Sequence, residues 1–258
     1  LFPDLPDFAG AAGFRVEAAD LRRLIRRTIF AADPDSTRYA FGGVLMELEP
    51  GSVSMVGTDG RRLARQVAPC QCNKGAKPPD PSPVIPVKAL RLIERNVADD
   101  EPVELAVQPN TAVFVRTGQA VIYSRLVEGR FPNYREGFPT GYEARILFAE
   151  VEPFLRAVEQ ASVVTSKESR GVDFLFTDGL LRLTSQSPDL GSSDIELPIA
   201  YDGKDLSVTF GAHFLLEALK ALDPSQPITL DLLDSRSPGF FKTEDQYLYI
   251  VMPIHRGH

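Results

Sequence analysis

The sequence predicts an α+β chain built as two tandem copies of one domain, with helices packed on antiparallel sheets. Three observations carry the prediction. The order strand, helix, hairpin, strands, helix, strands runs through the first half and recurs in the second, offset by about 120–130 residues. The predicted helices place apolar residues three and four apart, the period of one buried helix face. The predicted hairpins turn at glycine, at Pro50-Gly51 and at Asp178-Gly179. A repeat this long marks a duplicated domain, since solenoid units run about 20–50 residues.

Residues 1–13 hold two prolines and no hydrophobic period, so they read as a linker from a domain upstream. They also lack the basic and apolar regions of a signal peptide. Phe14 to Val16 is a strand, and Ala18 to Ala31 a helix with Leu21, Leu24, Ile25 and Ile29 on one face. Tyr39 to Glu49 and Ser52 to Val56 form a hairpin, and Leu63 to Val67 continues as strand. Lys74 to Pro83 carries four prolines and reads as a loop. Val84-Ile85-Pro86 leads into a helix over Val87 to Asn96, followed by strands at Val103–Val107, Ala112–Thr117 and Gln119–Leu126. The second copy opens with a strand at Ala144–Phe148 and a helix at Glu150–Val164, where Pro153 suits the first turn. Gly171–Phe176 and Leu180–Ser185 form its hairpin, and Asp194–Ala200 and Leu206–Phe210 are strands. A helix at Ala212–Leu222 ends at Asp223-Pro224, and strands follow at Ile228–Leu233, Gly239–Thr243 and Tyr247–Met252. The domains are therefore 14–135 and 136–258, behind the 1–13 linker.

The chain has 258 residues and a net charge of −7, with 28 basic against 35 acidic side chains. That balance argues against nucleic acid unless the basic residues cluster. They do cluster. The first helix carries Arg22, Arg23, Arg26 and Arg27 on one half, and the second carries Lys88, Arg91 and Arg95. In the second copy Arg156 and Lys220 are the helix cations, joined by Lys167 and Arg170 in a loop. An amphipathic helix must put polar residues outside in any case. The sharper reading is a basic surface facing phosphate, which would hold the backbone without reading bases.

Catalysis finds little support. The histidines are His213, His255 and His258, none in a nucleophile motif. Walker and dinucleotide glycine patterns are absent. Cys70 and Cys72 are too close for a disulfide framework and read as part of a solvated loop rather than a metal site. No apolar run reaches the roughly 18–20 residues of a membrane span.

Four segments carry a family resemblance. Val56-Gly57-Thr58-Asp59-Gly60-Arg61-Arg62-Leu63-Ala64, Glu128-Gly129-Arg130-Phe131-Pro132-Asn133-Tyr134, Ser169-Arg170-Gly171-Val172 and Tyr249-Ile250-Val251-Met252-Pro253-Ile254 stand in order along the chain. In sequence and spacing they resemble the bacterial DNA polymerase III beta subunit, the sliding-clamp family, over its second and third domains. The resemblance implies two tandem sliding-clamp domains, with antiparallel sheets outside and helices on the inner face, and residues 1–13 as the connection from a first clamp domain. It implies a non-catalytic, cytoplasmic processivity factor without a cofactor, which encircles double-stranded DNA regardless of sequence. Two chains close as a homodimer ring when the first domain is present. The cations named above then face DNA, and Val163 and Val164 fall in the subunit contact. A chain without that domain is expected to be monomeric, or to close as a trimer.

The resemblance also implies a pocket that takes the clamp-binding motifs of the replicative polymerase, the clamp loader and repair polymerases. The matching residues are Arg38, Phe41, Thr58, Gly60, Arg61, Arg62, Leu63 and Pro132, with Ile250, Val251, Met252, Pro253 and Ile254 at the C-terminal end. Gly211, Phe214, Arg236 and Pro238 match its second subsite. A flexible methionine suits a surface that adapts to several apolar partners. Glu136 and Gly137 replace a basic and an aliphatic residue common in the family, and Phe41 replaces an aliphatic one. These departures disfavour acidic motifs and narrow the pocket. The competing reading is a peptide-binding adaptor that works without DNA.

Overall fold

A computed structural model describes residues 13–36, 40–73, 76–97, 101–118, 120–165 and 171–254. The chain divides into two compact units. The first comprises residues 1–59 and 65–133, and the second residues 60–64 and 134–258.

In the first unit β1 (Phe14–Val16) leads into α1 (Ala18–Arg26). Asp20 in the first turn of α1 complements the helix dipole, and Arg23 and Arg26 in its last turn do the same from the other end. The predicted continuation to Ala31 is broken at Thr28, whose φ of −129° leaves the helical region. The Thr28 hydroxyl donates to the Leu24 carbonyl at 2.7 Å, and a short 3-10 turn over Ile29–Ala31 follows. Side-chain competition for helix carbonyls of this kind weakens and bends helices.

The strands are β2 (Gly43–Glu49), β3 (Gly51–Thr58), β4 (Arg62–Cys72), β5 (Val84–Pro86), β6 (Val103–Gln108), β7 (Ala112–Thr117) and β8 (Ala120–Arg125), with α2 (Val87–Asn96) after β5. Hydrogen-bonded neighbours run β8-β7-β6-β1-β4-β3-β2-β5. Antiparallel register sets Phe14 opposite Leu105 and Cys72, and Met46 opposite Met55. Leu21, Leu24, Ile25, Leu90 and Ile93 of the helices are buried against Met46, Leu48, Val53 and Met55 of the strands, an aliphatic core. Gly57 is fixed by contact, since a Cβ there would lie 2.1 Å from the Thr28 carbonyl oxygen. The glycine thus lets β3 pass the point where α1 ends.

Strand β4 corrects the reading of the cysteines. It extends to Cys72, so both sit on a strand, not in a solvated loop. Cys70 is buried, and burial pushes its thiol above the usual range. Among the described residues no group of three or more His, Cys, Asp or Glu could hold a metal ion. No described helix is long and apolar enough to cross a membrane.

The second unit holds β9 (Ala144–Phe148), α3 (Val151–Ser162), β10 (Gly171–Thr177), β11 (Leu180–Ser187), β12 (Gly191–Pro198), β13 (Leu206–Gly211), α4 (Ala212–Lys220), β14 (Ile228–Leu232), β15 (Gly239–Lys242) and β16 (Tyr247–Val251). One antiparallel sheet runs β12-β11-β10-β13, and β9-β14-β15-β16 form the other ladder. Its core is aromatic. Phe154 of α3 stacks on Phe148 with centroids 4.1 Å apart and meets Phe174 and Phe241 edge-on or offset. Phe210 and Tyr249 extend the cluster. Such pairs add about 0.5–1.5 kcal/mol each beyond area burial.

Candidate functional site

Five residues between β3 and the body of β4, Gly60 to Ala64, belong to the second unit. They lie beside the end of β16, where the Met252 N–H donates to the Arg61 carbonyl at 2.9 Å. Beyond it the Ile254 N–H donates to the Thr209 carbonyl of β13 at 2.8 Å. The strand thus runs out over its neighbours with its backbone tied on both sides. Side chains along it differ in exposure. Ile250 and Val251 are buried, Met252 is 43% exposed, Pro253 is buried and Ile254 half-buried. A methionine open to solvent between buried neighbours is an adaptable apolar contact.

Arg62 forms the adjoining wall. Its side chain is only 8% exposed, and its guanidinium ion-pairs with Glu217 of α4. Its Cζ also lies 4.6 Å from the centre of the Phe214 ring, one helical turn before Glu217. Phe214 is held from two further sides. Its carbonyl accepts the buried Tyr249 hydroxyl at 2.8 Å, and its ring meets that of His213 at 3.9 Å. A Cβ on Gly211 would press on both rings, at 3.1 and 3.3 Å, so glycine lets them close over the start of α4. Leu63 is buried, whereas Gly60 and Arg61 are exposed.

Elsewhere in the second unit, Glu136 and Gly137 stand exposed in a 3-10 turn over Tyr134–Gly137, and a Cβ on Gly137 would meet nothing within 4 Å. Arg236 is exposed and Pro238 half-buried in the turn after β14, where the Asp234 carboxylate accepts the N–H groups of Arg236 and Ser237. The second unit thus unites Gly60–Leu63, Gly211, Phe214 and Ile250–Ile254. Val251 faces the core, so it backs the surface and does not line it. Phe41 and Pro132 are half-buried and Thr58 buried in the first unit. Arg38 lies outside the described residues. Glu217 escaped the sequence reading, and His213 and Tyr249, though named in it, were not assigned to the pocket; the one local signal for Glu217 was its three-residue spacing from Phe214 on α4.

The helix cations divide sharply. On α2, Lys88, Arg91 and Arg95 are all exposed at spacings of three and four, forming one stripe. On α1 the picture is mixed. Arg26 is 63% exposed but bonds Glu94 of α2 at 2.6 Å, and Arg23 bonds Asp20 at 2.6 Å. Arg22 donates to the Val97 carbonyl at 3.0 Å. Arg27 corrects the expectation of four outward arginines: it is 6% exposed and donates to the Gln66 side chain at 2.8 Å. In the second unit Arg156 pairs with Glu152 and Lys220 with Glu159, so each cation meets an acid. Lys167 and Arg170 lie outside the described residues. At the end of α3, Val163 is 75% exposed and Val164 half-buried.

The family model described as DNA polymerase III beta subunit, central domain, matches residues 15–133, and the one described as its C-terminal domain matches residues 135–255. The beta sliding clamp of Chlamydia muridarum is 28% identical over 254 residues, covering 98% of this chain and 68% of its own. The crystal structure of the Pseudomonas aeruginosa DNA polymerase sliding clamp is 26% identical, with a TM-score of 0.88 over 99% of this chain and 69% of that one. The Bacillus subtilis DNA polymerase sliding clamp, 23% identical, shares the fold at a TM-score of 0.91, covering 99% of this chain and 67% of its own. The chain thus spans about two thirds of the length of these relatives.

Proposed function

The chain belongs to the DNA polymerase III beta-subunit family, the non-catalytic sliding clamps of that polymerase, and from that premise we propose that it is clamp tissue of two kinds: a DNA-facing helix surface and a docking surface for replication proteins. In this reading it works in the cytoplasm, where a ring of such chains encircles duplex DNA and keeps the polymerase on its template. With a first domain present, two chains close the ring, and Val163 and Val164 take part in the subunit contact.

The observation that carries the docking role is the exposed Met252, tied by its backbone to Arg61 and set between buried neighbours. The clamp-binding segments of the replicative polymerase, the clamp loader and repair polymerases would lay an apolar anchor there. DNA contact rests on the α2 stripe, helped by the exposed part of α1. Such contacts are to phosphate and permit sliding.

The test is fluorescence anisotropy of a labelled apolar clamp-binding peptide against this chain. Saturable binding that Met252→Lys abolishes is the expected result. Binding that survives the substitution places the docking surface elsewhere, and no binding by the parent chain removes the reading.

A further inference from the structure

Glu217 belongs to none of the segments that define the proposed pocket, yet it touches the residue that closes one side of it. Three features meet there. The Arg62 side chain, 8% exposed, has little contact with water and needs a counter-charge to be tolerated. Glu217, whose side chain is 48% exposed, supplies one from α4. The same guanidinium covers the Phe214 ring at 4.6 Å, and Phe214 stands one turn before Glu217 on the same helix face. Arg62 thus bridges a ring and a carboxylate that α4 presents side by side.

We propose that Glu217 is a positioning residue of the docking surface, holding Arg62 over the Phe214 ring and opposing its charge, so that the wall selects uncharged apolar segments over acidic ones. The inference rests on the docking role proposed above. Its chemistry is specific to the pair. A guanidinium engaged with both a carboxylate and a ring has spent its strongest directions inward. An acidic side chain arriving at the wall must then compete with Glu217, and it meets the field of that carboxylate as well. An apolar side chain has no charge to set against that carboxylate. The exposed Glu136 on its 3-10 turn adds charge of the same sign to this unit. Without the Glu217 charge, Arg62 loses the carboxylate that opposes an acidic anchor, and its hold over Phe214 weakens.

The experiment compares two labelled peptides on the whole chain, one with a Leu-Phe anchor and one with an Asp beside that anchor. The parent chain is expected to favour the neutral peptide. In Glu217→Gln the ratio of the two dissociation constants should fall about fivefold, the size of one partly exposed charge pair. Binding of the acidic peptide should also become more sensitive to salt. Glu217→Asp, which keeps the charge, should restore most of the preference. Circular dichroism and a thermal melt establish that each variant folds. If Glu217→Gln weakens both peptides equally and leaves the ratio and salt response unmoved, Glu217 only supports the fold and the proposal is overturned. An unchanged variant overturns it too. If the parent chain binds neither peptide, the docking reading itself fails, a result separate from either of these.

Discussion

Asp231 of β14 is 5% exposed and still ionised in its surroundings. Burial resists the charge, but hydrogen bonds from Arg145, at 2.7 and 2.9 Å, and from Lys242, at 2.6 Å, outweigh it and hold the carboxyl below the usual carboxylate range. Arg145 in turn covers the Tyr142 ring at 3.9 Å. A folded-state pKa below the unfolded value of about 3.9 contributes stability in full above that value, and the contribution is lost as pH falls through the folded pKa. Asp231→Asn should therefore cost about 2 kcal/mol at pH 7. The gap from the parent should close in acid, where the parent carboxyl is protonated as well. Urea melts at pH 7 and at low pH measure both; a gap that ignores pH would assign the loss to packing. Arg27 poses the opposite problem. Its place in the row Arg22, Arg23, Arg26, Arg27 reads as one more outward cation. What turns it inward is Gln66, on a strand 39 positions away, and no local spacing shows that. Arg27→Ala should lower the melting temperature, at a cost of about 2 kcal/mol for a buried charged hydrogen bond. It should leave the salt dependence of DNA binding unmoved, and an altered salt slope with an unchanged melt would return Arg27 to the surface.

At the scale of elements, the two copies spend their helices differently. α2 turns three exposed cations outward, while on α3 and α4 each described cation meets an acid. Each phosphate contact contributes about 0.9 to the slope of log affinity against log salt on duplex DNA. Reversing Lys88, Arg91 and Arg95 to Glu should thus lower that slope by about 2 to 3, read by anisotropy with a short duplex at low salt. Arg156→Glu should do much less, because Glu152 already neutralises that position. An equal effect from Arg156 would mean that the pairing with Glu152 opens on DNA and that both copies share the contact. The elements themselves were largely legible in sequence. β9 and α2 fall where apolar period and flanking turns put them, since each is bounded by local signals. The misreadings came where a distant partner or a single side chain decided. Thr28 ends α1 early by bonding back to Leu24, and β4 runs on to Cys72 because β1 pairs with its far end.

At the scale of the whole molecule, duplication of one fold on two unlike cores shows what the sequence keeps and what it varies. The first unit packs Leu, Ile, Val and Met, and the second a run of phenylalanines, on the same order of strand, helix and hairpin. Binary pattern and turn chemistry set the architecture, and the identity of the core side chains tunes it. The proposed docking wall could be drawn from the sequence only through the family's motifs, because its parts, Arg62 and Phe214, lie 152 positions apart and nothing local joins them. Assembly follows from what the second unit leaves open. β12 is the edge of its sheet, and Arg182 of β11 ties down Asp194 and Glu196 there, a charged edge that resists casual strand pairing. Val163, 75% exposed at the end of α3, is an apolar side chain that the second unit leaves open to solvent. An edge so guarded needs a complementary partner edge, and this chain is expected to sediment as a monomer of 28.4 kDa. Val163→Asp should leave that mass unchanged and weaken ring closure when the chain is joined to a first clamp domain. A mass near three times the monomer, lost in Val163→Asp, would show instead that two-domain chains close on one another in threes.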